Sequence, residues 1–312
     1  MKVADCITTD VVLPNPQTQD PWDEVVVDPA LKDRLLNQVL LSMHLRDTLP
    51  FIVTACHGLI LLYGPPGTGK TTLARGVAHR TAALTAGHRA RLVEVDPHGL
   101  MSAEHGQSQQ KVVELLTNHI PLLADDGLPT IVLLDEVESM AVARGAASLS
   151  ANPADVHCAT DAVLASLDRI ASEHPHIVIV ATSNFTDALD EAFKSRADAL
   201  IEVALPDVDA VLAILRRTLQ GYGGAFPEMA ELAGSSGLAA VARRLDGWDG
   251  RQVRKFVSEA LAGRLETVLE PGTLTLADLR TTADRLHAAS EKATIGASAG
   301  WAADARGERH AV

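Results

Sequence analysis

Gly64, Pro65, Pro66, Gly67, Thr68, Gly69, Lys70 and Thr71 follow the spacing GxxxxGK[ST]. That spacing suits a phosphate. The glycines let the backbone curl so that successive N–H groups face one anion. Lys70 can then reach the β- and γ-phosphates of a nucleoside triphosphate. Thr71, with Thr72 behind it, offers a hydroxyl to Mg2+. A second group stands at Ile131-Val132-Leu133-Leu134-Asp135-Glu136. Its apolar run delivers two carboxylates to the end of a strand, where ligands gather in open α/β sheets. Asp135 is expected to hold Mg2+ through water, which makes Thr71 and Asp135 the candidate metal contacts. Glu136 is expected to polarise an attacking water.

Three further side chains could complete such a site. Asn184 closes Thr182-Ser183-Asn184. A neutral amide there can hydrogen-bond a γ-phosphate and the water, or it is a simple turn residue. Arg196, in Ala192-Phe193-Lys194-Ser195-Arg196-Ala197-Asp198, is either a cationic fork for a neighbouring subunit's γ-phosphate or a surface arginine beside Asp198. Arg251 opens a helix after Gly250 and could swing onto the phosphates. Arg254 and Lys255 read as solvated.

The positioning elements follow from periodicity. Gly58 to Tyr63 is a continuous apolar run, as a strand buried on both faces would be, and 91–95, the apolar 130–135, 177–182 and 199–203 read as further strands. Helical patterns lie between them, at about 29–47, 70–85, 107–124 and 155–173. Strand–helix alternation predicts a parallel sheet with covered faces. The expected fold class is α/β, with five parallel strands and flanking helices. After Pro206 only helical periods remain, near 208–220, 227–245, 250–269 and 275–290. The expected organisation is an irregular arm at 1–20, a nucleotide-binding α/β subdomain at 21–205, a small helical lid at 206–290 and a disordered tail at 291–312.

Composition narrows the function. Among 312 residues the formal net charge is −13, which argues against a protein that coats nucleic acid. Aromatics make up only 3%, little material for base stacking. Cys6, Cys56 and Cys158 are scattered and lack metal spacing, so reduced thiols are expected. No apolar stretch is long enough to span a membrane, and the N-terminus has no signal-peptide core. A cytoplasmic protein is the expectation.

Together these stretches resemble the AAA+ ATPases over about residues 21–290. They look closer still to the pachytene-checkpoint branch, which remodels HORMA-domain proteins. Trp22-Asp23, Leu61 through Thr71, Asp135-Glu136-Val137-Glu138-Ser139, Ala143-Arg144, Thr182-Ser183-Asn184, Ala192-Phe193 with Arg196-Ala197-Asp198, and Gly250-Arg251 with Arg254-Lys255 carry the likeness. The resemblance implies the AAA+ P-loop fold with a lid, ATP and Mg2+ as cofactors, and a homohexameric ring. It implies Lys70, Thr71 and Asp135 as nucleotide and metal contacts, and Glu136 as the water activator. Asn184 becomes the first sensor, Arg196 the finger acting in trans, and Arg251 the second sensor. The implied partner is a HORMA-domain protein, with or without a cyclic-oligonucleotide synthase. Bacterial relatives accompany these in CBASS antiphage defence and are thought to switch the signal off.

Two departures from the family pattern stand out. Only about 20 residues precede the core, where eukaryotic members carry a recognition domain. The loop from Leu100 to Gln107, which bears a gripping aromatic in threading members, has none here except His105. Met101 and His105 are its candidate grips, and Gly145 to Asp155 is a candidate second loop. A DNA-linked motor and a nucleotide-gated scaffold are the alternative readings.

Overall fold

The computed structural model describes residues 3–96, 100, 107–140 and 153–288. The candidate loop residues Met101–Gly106, the Ala143-Arg144 pair, most of the second loop and the tail lie outside them. The chain divides into two compact units, Met1–Ala204 and Leu205–Val312.

The first unit contains β1 (Ile7–Leu13), α1 (Pro29–Thr48), β2 (Leu59–Tyr63), α2 (Lys70–Leu84), β3 (Ala90–Val95), α3 (Gln107–Glu114), β4 (Thr130–Leu134), α4 (Pro153–Glu173), β5 (Ile177–Ser183), α5 (Glu191–Ser195) and β6 (Ala199–Glu202). One sheet holds all six strands in the order β1-β3-β4-β5-β2-β6. Five are parallel, as the apolar runs predict. Leu59 and Leu61 pack into the core on one face, with Val163, Leu167 and Ile170 of α4. Ile60 and Leu62 pack into the other, with Leu35 and Val39 of α1 and Leu73 and Val77 of α2. In β2, β4 and β5 both faces are apolar because both are covered, so no period of two appears there. The edge strand β6 alternates, with Ala199 and Ile201 buried and Leu200 and Glu202 exposed.

The sixth strand corrects the expected irregular arm. β1 runs antiparallel to β3, with Leu13 opposite Ala90 and Val11 opposite Leu92. It is an edge strand with one wetted face, so Thr8, Thr9 and Asp10 interrupt its apolar residues. Asp10 pairs with Arg91 at 2.6 Å. Edge strands carry such charges.

The second unit is helical among the described residues: α6 (Val208–Gly223), α7 (Pro227–Ala233), α8 (Leu238–Arg244), α9 (Gly250–Leu261), α10 (Leu265–Leu269) and α11 (276–288). The expected helix at 227–245 is two helices, broken across Gly234-Ser235-Ser236-Gly237. Asp249 caps α9, accepting from the N–H groups of Arg251 and Gln252, while Gln252 reaches back to the Asp249 N–H. This reciprocal cap fixes the start of α9, where Arg251 stands exposed.

No helix among the described residues is long and apolar enough to cross a membrane.

Candidate nucleotide site

The loop between β2 and α2 depends on its glycines. Gly64 has φ +141° and Gly69 +97°, values that side chains resist. A Cβ at Gly64 would run into the Val203 carbonyl, and one at Gly69 would lie 2.8 Å from Val25 Cγ1. Thr68 Oγ1 donates to the Pro65 carbonyl at 3.0 Å. Lys70 is 6% exposed and donates to the Gly64 and Pro65 carbonyls, both at 2.8 Å. Its ammonium therefore sits inside the curl of the loop. Thr71 and Thr72 occupy the first turn of α2 and are half-buried.

Three strand ends meet this loop. Thr71 Oγ1 donates to Asp135 Oδ1 at 2.8 Å, and Thr182 Oγ1 donates to the same oxygen at 2.5 Å. The Thr182 hydroxyl also accepts from the Glu136 N–H at 3.0 Å. It ties β5 to the two carboxylates that follow β4. Glu136 adopts a left-handed conformation, φ 53° and ψ 53°, which costs a non-glycine residue about 1 kcal/mol. Such strain collects at functional positions, and here it turns the exposed carboxylate out of the strand line. Asn184 Nδ2 donates to Glu136 Oε1 at 3.2 Å, and the Asn184 N–H donates to Glu138 Oε1 at 3.1 Å.

Beneath this group lies an ion pair. Arg75, one turn beyond Thr71, binds Glu94 of β3 through Nε and Nη2 at 2.8 and 2.9 Å. The Glu94 hydrogen bonds push the Arg75 pKa up, and the field of Asp135 adds to them. A cleft of about 180 Å3 opens here, lined by Arg75, Glu94, Asp96, Asp135 and Glu136 among others.

The residues fit a phosphate chain with a hard divalent cation. A curled loop has no room for side chains, and one hydroxyl and one carboxylate share a point. No cluster of three or more His, Cys, Asp or Glu suited to a metal occurs among the described residues. Mg2+ is commonly held by one or two protein oxygens together with substrate phosphates and water.

The structure thus gathers Lys70, Thr71, Asp135, Glu136 and Asn184. Arg196 is elsewhere. It follows α5 at the opposite end of the sheet and binds Asp168 of α4 through Nε and Nη2 at 2.7 and 2.8 Å. Arg251 belongs to the second unit. Thr182, Arg75, Glu94 and Asp168 were not singled out for roles in the sequence. Thr182 lies in a stretch whose last residue drew the attention, and the other three are charges spread along helices and a strand.

Comparison with known proteins agrees with this geometry. The model of the ATPase family associated with various cellular activities (AAA) matches residues 60–205. CD-NTase-associated protein 6 of Pseudomonas aeruginosa is 46% identical over 268 residues, 86% of this chain and 88% of that protein. The chain belongs to the AAA family of ATPases. Its branch is that of pachytene checkpoint protein 2, whose Danio rerio homolog is 30% identical over 85% of this chain and 68% of its own length. Among solved structures, C. elegans PCH-2 superposes with a TM-score of 0.71 at 22% identity, covering 92% of this AAA chain and 77% of its own. A chain of the E. coli MS115-1 HORMA:CdnC:Trip13 complex gives a TM-score of 0.70 at 18% identity, covering 91% and 96%. Both share the AAA fold. Nucleotide binding is the property common to this family.

Proposed function

We propose that this chain hydrolyses ATP with Mg2+ and uses the cycle, as a homohexamer, to disassemble complexes of a HORMA-domain protein, with or without a cyclic-oligonucleotide synthase. In that role it switches off CBASS antiphage signalling. The supporting observation is the convergence of Lys70, Thr71, Asp135, Glu136 and Asn184, in a chain 46% identical to CD-NTase-associated protein 6.

Each residue has a task in this reading. The loop N–H groups from Gly64 to Thr71 and the start of α2 hold phosphate oxygens. Lys70 neutralises the β/γ end. Thr71 and Asp135 would hold Mg2+, which when bound would neutralise charge developing on the phosphates. Thr182 keeps Asp135 in place. Glu136 Oε accepts a proton from the attacking water, and Asn184 holds that carboxylate by its amide. Arg196 reaches a neighbouring subunit's γ-phosphate, a contribution worth about 10³–10⁵ in turnover where arginine fingers act. Arg251 senses the nucleotide from the lid.

The test is an ATPase assay with and without a HORMA-domain protein, combined with native mass measurement. Wild type should turn over faster with the client and release it. Glu136→Gln should bind ATP, lose at least about 100-fold in turnover and keep the client in a six-subunit assembly. Unchanged turnover in Glu136→Gln would remove the role given to Glu136. A client whose complexes persist through ATP turnover would remove the remodelling role.

A further inference from the structure

Arg196 does not hang free at the end of α5. Its Nε and Nη2 bind the two oxygens of Asp168, side-on, at 2.7 and 2.8 Å. Its Nη1 donates to the Ala192 carbonyl at 3.1 Å. These contacts use three of the five guanidinium N–H groups. The other two sit one on each Nη. A side-on carboxylate therefore orients the plane while leaving a fork for a second anion.

Asp168 is itself held. His57 Nε2 lies 3.3 Å from Asp168 Oδ1, close enough to donate when the proton is on Nε2. His57 belongs to the turn before β2, and that turn is gripped by Asp198. The Asp198 carboxylate accepts from the N–H groups of His57 at 2.8 Å and Gly58 at 2.7 Å. It also accepts from Cys56 Sγ at 3.0 Å and Ser42 Oγ at 3.2 Å. Asp198 lies two residues after Arg196, so the contacts close a circuit: Arg196, Asp168, His57, Asp198 and back along the chain. The circuit sits at the start of β2 (Leu59–Tyr63), whose other end carries the phosphate loop about 15 Å of strand away.

Stability alone does not account for this arrangement. The side chains of Arg196 and Asp168 are 24% and 45% exposed, and pairs that open to water add little to folding. Orientation is what the side-on geometry supplies. We propose that Asp168, backed by His57, is a positioning residue that presents the outer edge of the Arg196 guanidinium to a phosphate bound by an adjoining subunit. This rests on the role given to Arg196 above.

Steady-state ATPase measurements on the full chain test it. Asp168→Asn keeps the size but not the charge of the clamp. It should lower kcat about tenfold, since small misplacements of a catalytic group are costly, with KM for ATP within about twofold. The assembly mass should stay as in wild type and the unfolding midpoint within about 4 °C of it. His57→Gln should show a smaller loss of the same kind. In an Arg196→Lys background, where no fork exists to be held, Asp168→Asn should cost almost nothing more. That non-additivity is what a merely structural residue would not produce. Equal losses in both backgrounds would overturn the proposal, as would a kcat that rises on Asp168→Asn, which would make the carboxylate a restraint. Should Asp168→Asn fail to fold, the same cycle with His57→Gln and Arg196→Lys decides. Arg196→Ala separates the two ideas. Full turnover in that variant removes the finger itself. Lost turnover in Arg196→Ala beside normal kcat in Asp168→Asn removes only the positioning role.

Discussion

One oxygen carries much of the site. Asp135 Oδ1 accepts the hydroxyls of Thr71 and Thr182 together, so helix α2 and strand β5 are referred to the same point. The neighbouring carboxylate is handled differently, by a left-handed backbone and an amide from Asn184. Two adjacent acids thus receive separate environments, which is how separate roles are assigned. Asp168 shows the same economy at the far end of the sheet. Hydrogen bonds from Arg196 hold its carboxyl below the ordinary carboxylate range, against the opposing effect of partial burial. A carboxyl lowered on folding stabilises the native state above the unfolded value, near pH 3.9. That stabilisation fades as pH falls through the lowered native value. The pair is partly exposed, so its share is less than about 1 kcal/mol. Urea titrations of wild type and Asp168→Asn should therefore differ by no more than that at pH 6 and converge as the pH falls past the unfolded value and through the lowered native one. A gap that widens on acidification would contradict the assignment.

At the scale of elements, Arg46 is the least expected device. It is 8% exposed on α1, and its guanidinium donates to the carbonyls of Ile170, Ala171, His174 and Ile177. These carbonyls close α4 and lead into β5, and those of Ile170 and His174 also accept from the N–H groups of His174 and Ile177. Burial lowers the Arg46 pKa, with Cys56 and Asp198 opposing it, yet arginine stays charged. A Cβ on Gly58 would collide with its Nη1, so the turn before β2 is shaped around it. Arg46→Met should cost about 3 kcal/mol, because four carbonyls lose a charged donor at once and those of Ala171 and Ile177 depend on it most. Chemical denaturation measures it, and a loss below about 1 kcal/mol would show that water replaces the donor freely. Nothing in the sequence announces Arg46, because its partners lie more than 120 positions away. The inner strands β2, β4 and β5 were legible, since burial on both faces writes continuous apolar runs. β1 was not, because an edge strand mixes Thr9 and Asp10 with valines and borrows its order from β3. The phosphate loop and the Asp135-Glu136 pair were legible for a related reason. Their chemistry is compressed into contiguous residues, whereas Thr182, Arg75 and Asp168 act through the tertiary fold.

For the molecule as a whole, the division into two compact units makes nucleotide binding a question of linkage. Lys70, Thr71, Asp135, Glu136 and Asn184 all belong to the unit Met1–Ala204. A ligand that binds the folded form alone stabilises it by RT ln(1 + [L]/Kd), about 2.7 kcal/mol at a hundredfold excess over Kd. In a unit of this size each kcal/mol moves the unfolding midpoint by about 2–4 °C. A non-hydrolysable ATP analogue with Mg2+ should therefore raise the transition of the first unit by roughly 5–10 °C. Without Mg2+ the rise should be smaller, because phosphate charge then goes unneutralised beside Asp135 and Glu136. Lys70→Ala should remove most of the shift, since in the proposed role the ammonium buried in the loop neutralises the phosphates. Hydrogen exchange locates the effect. Protection should grow at amides 64–72 in wild type and not in Lys70→Ala. Equal shifts in the two proteins would place nucleotide binding away from this loop and undo the reading of the site built on it.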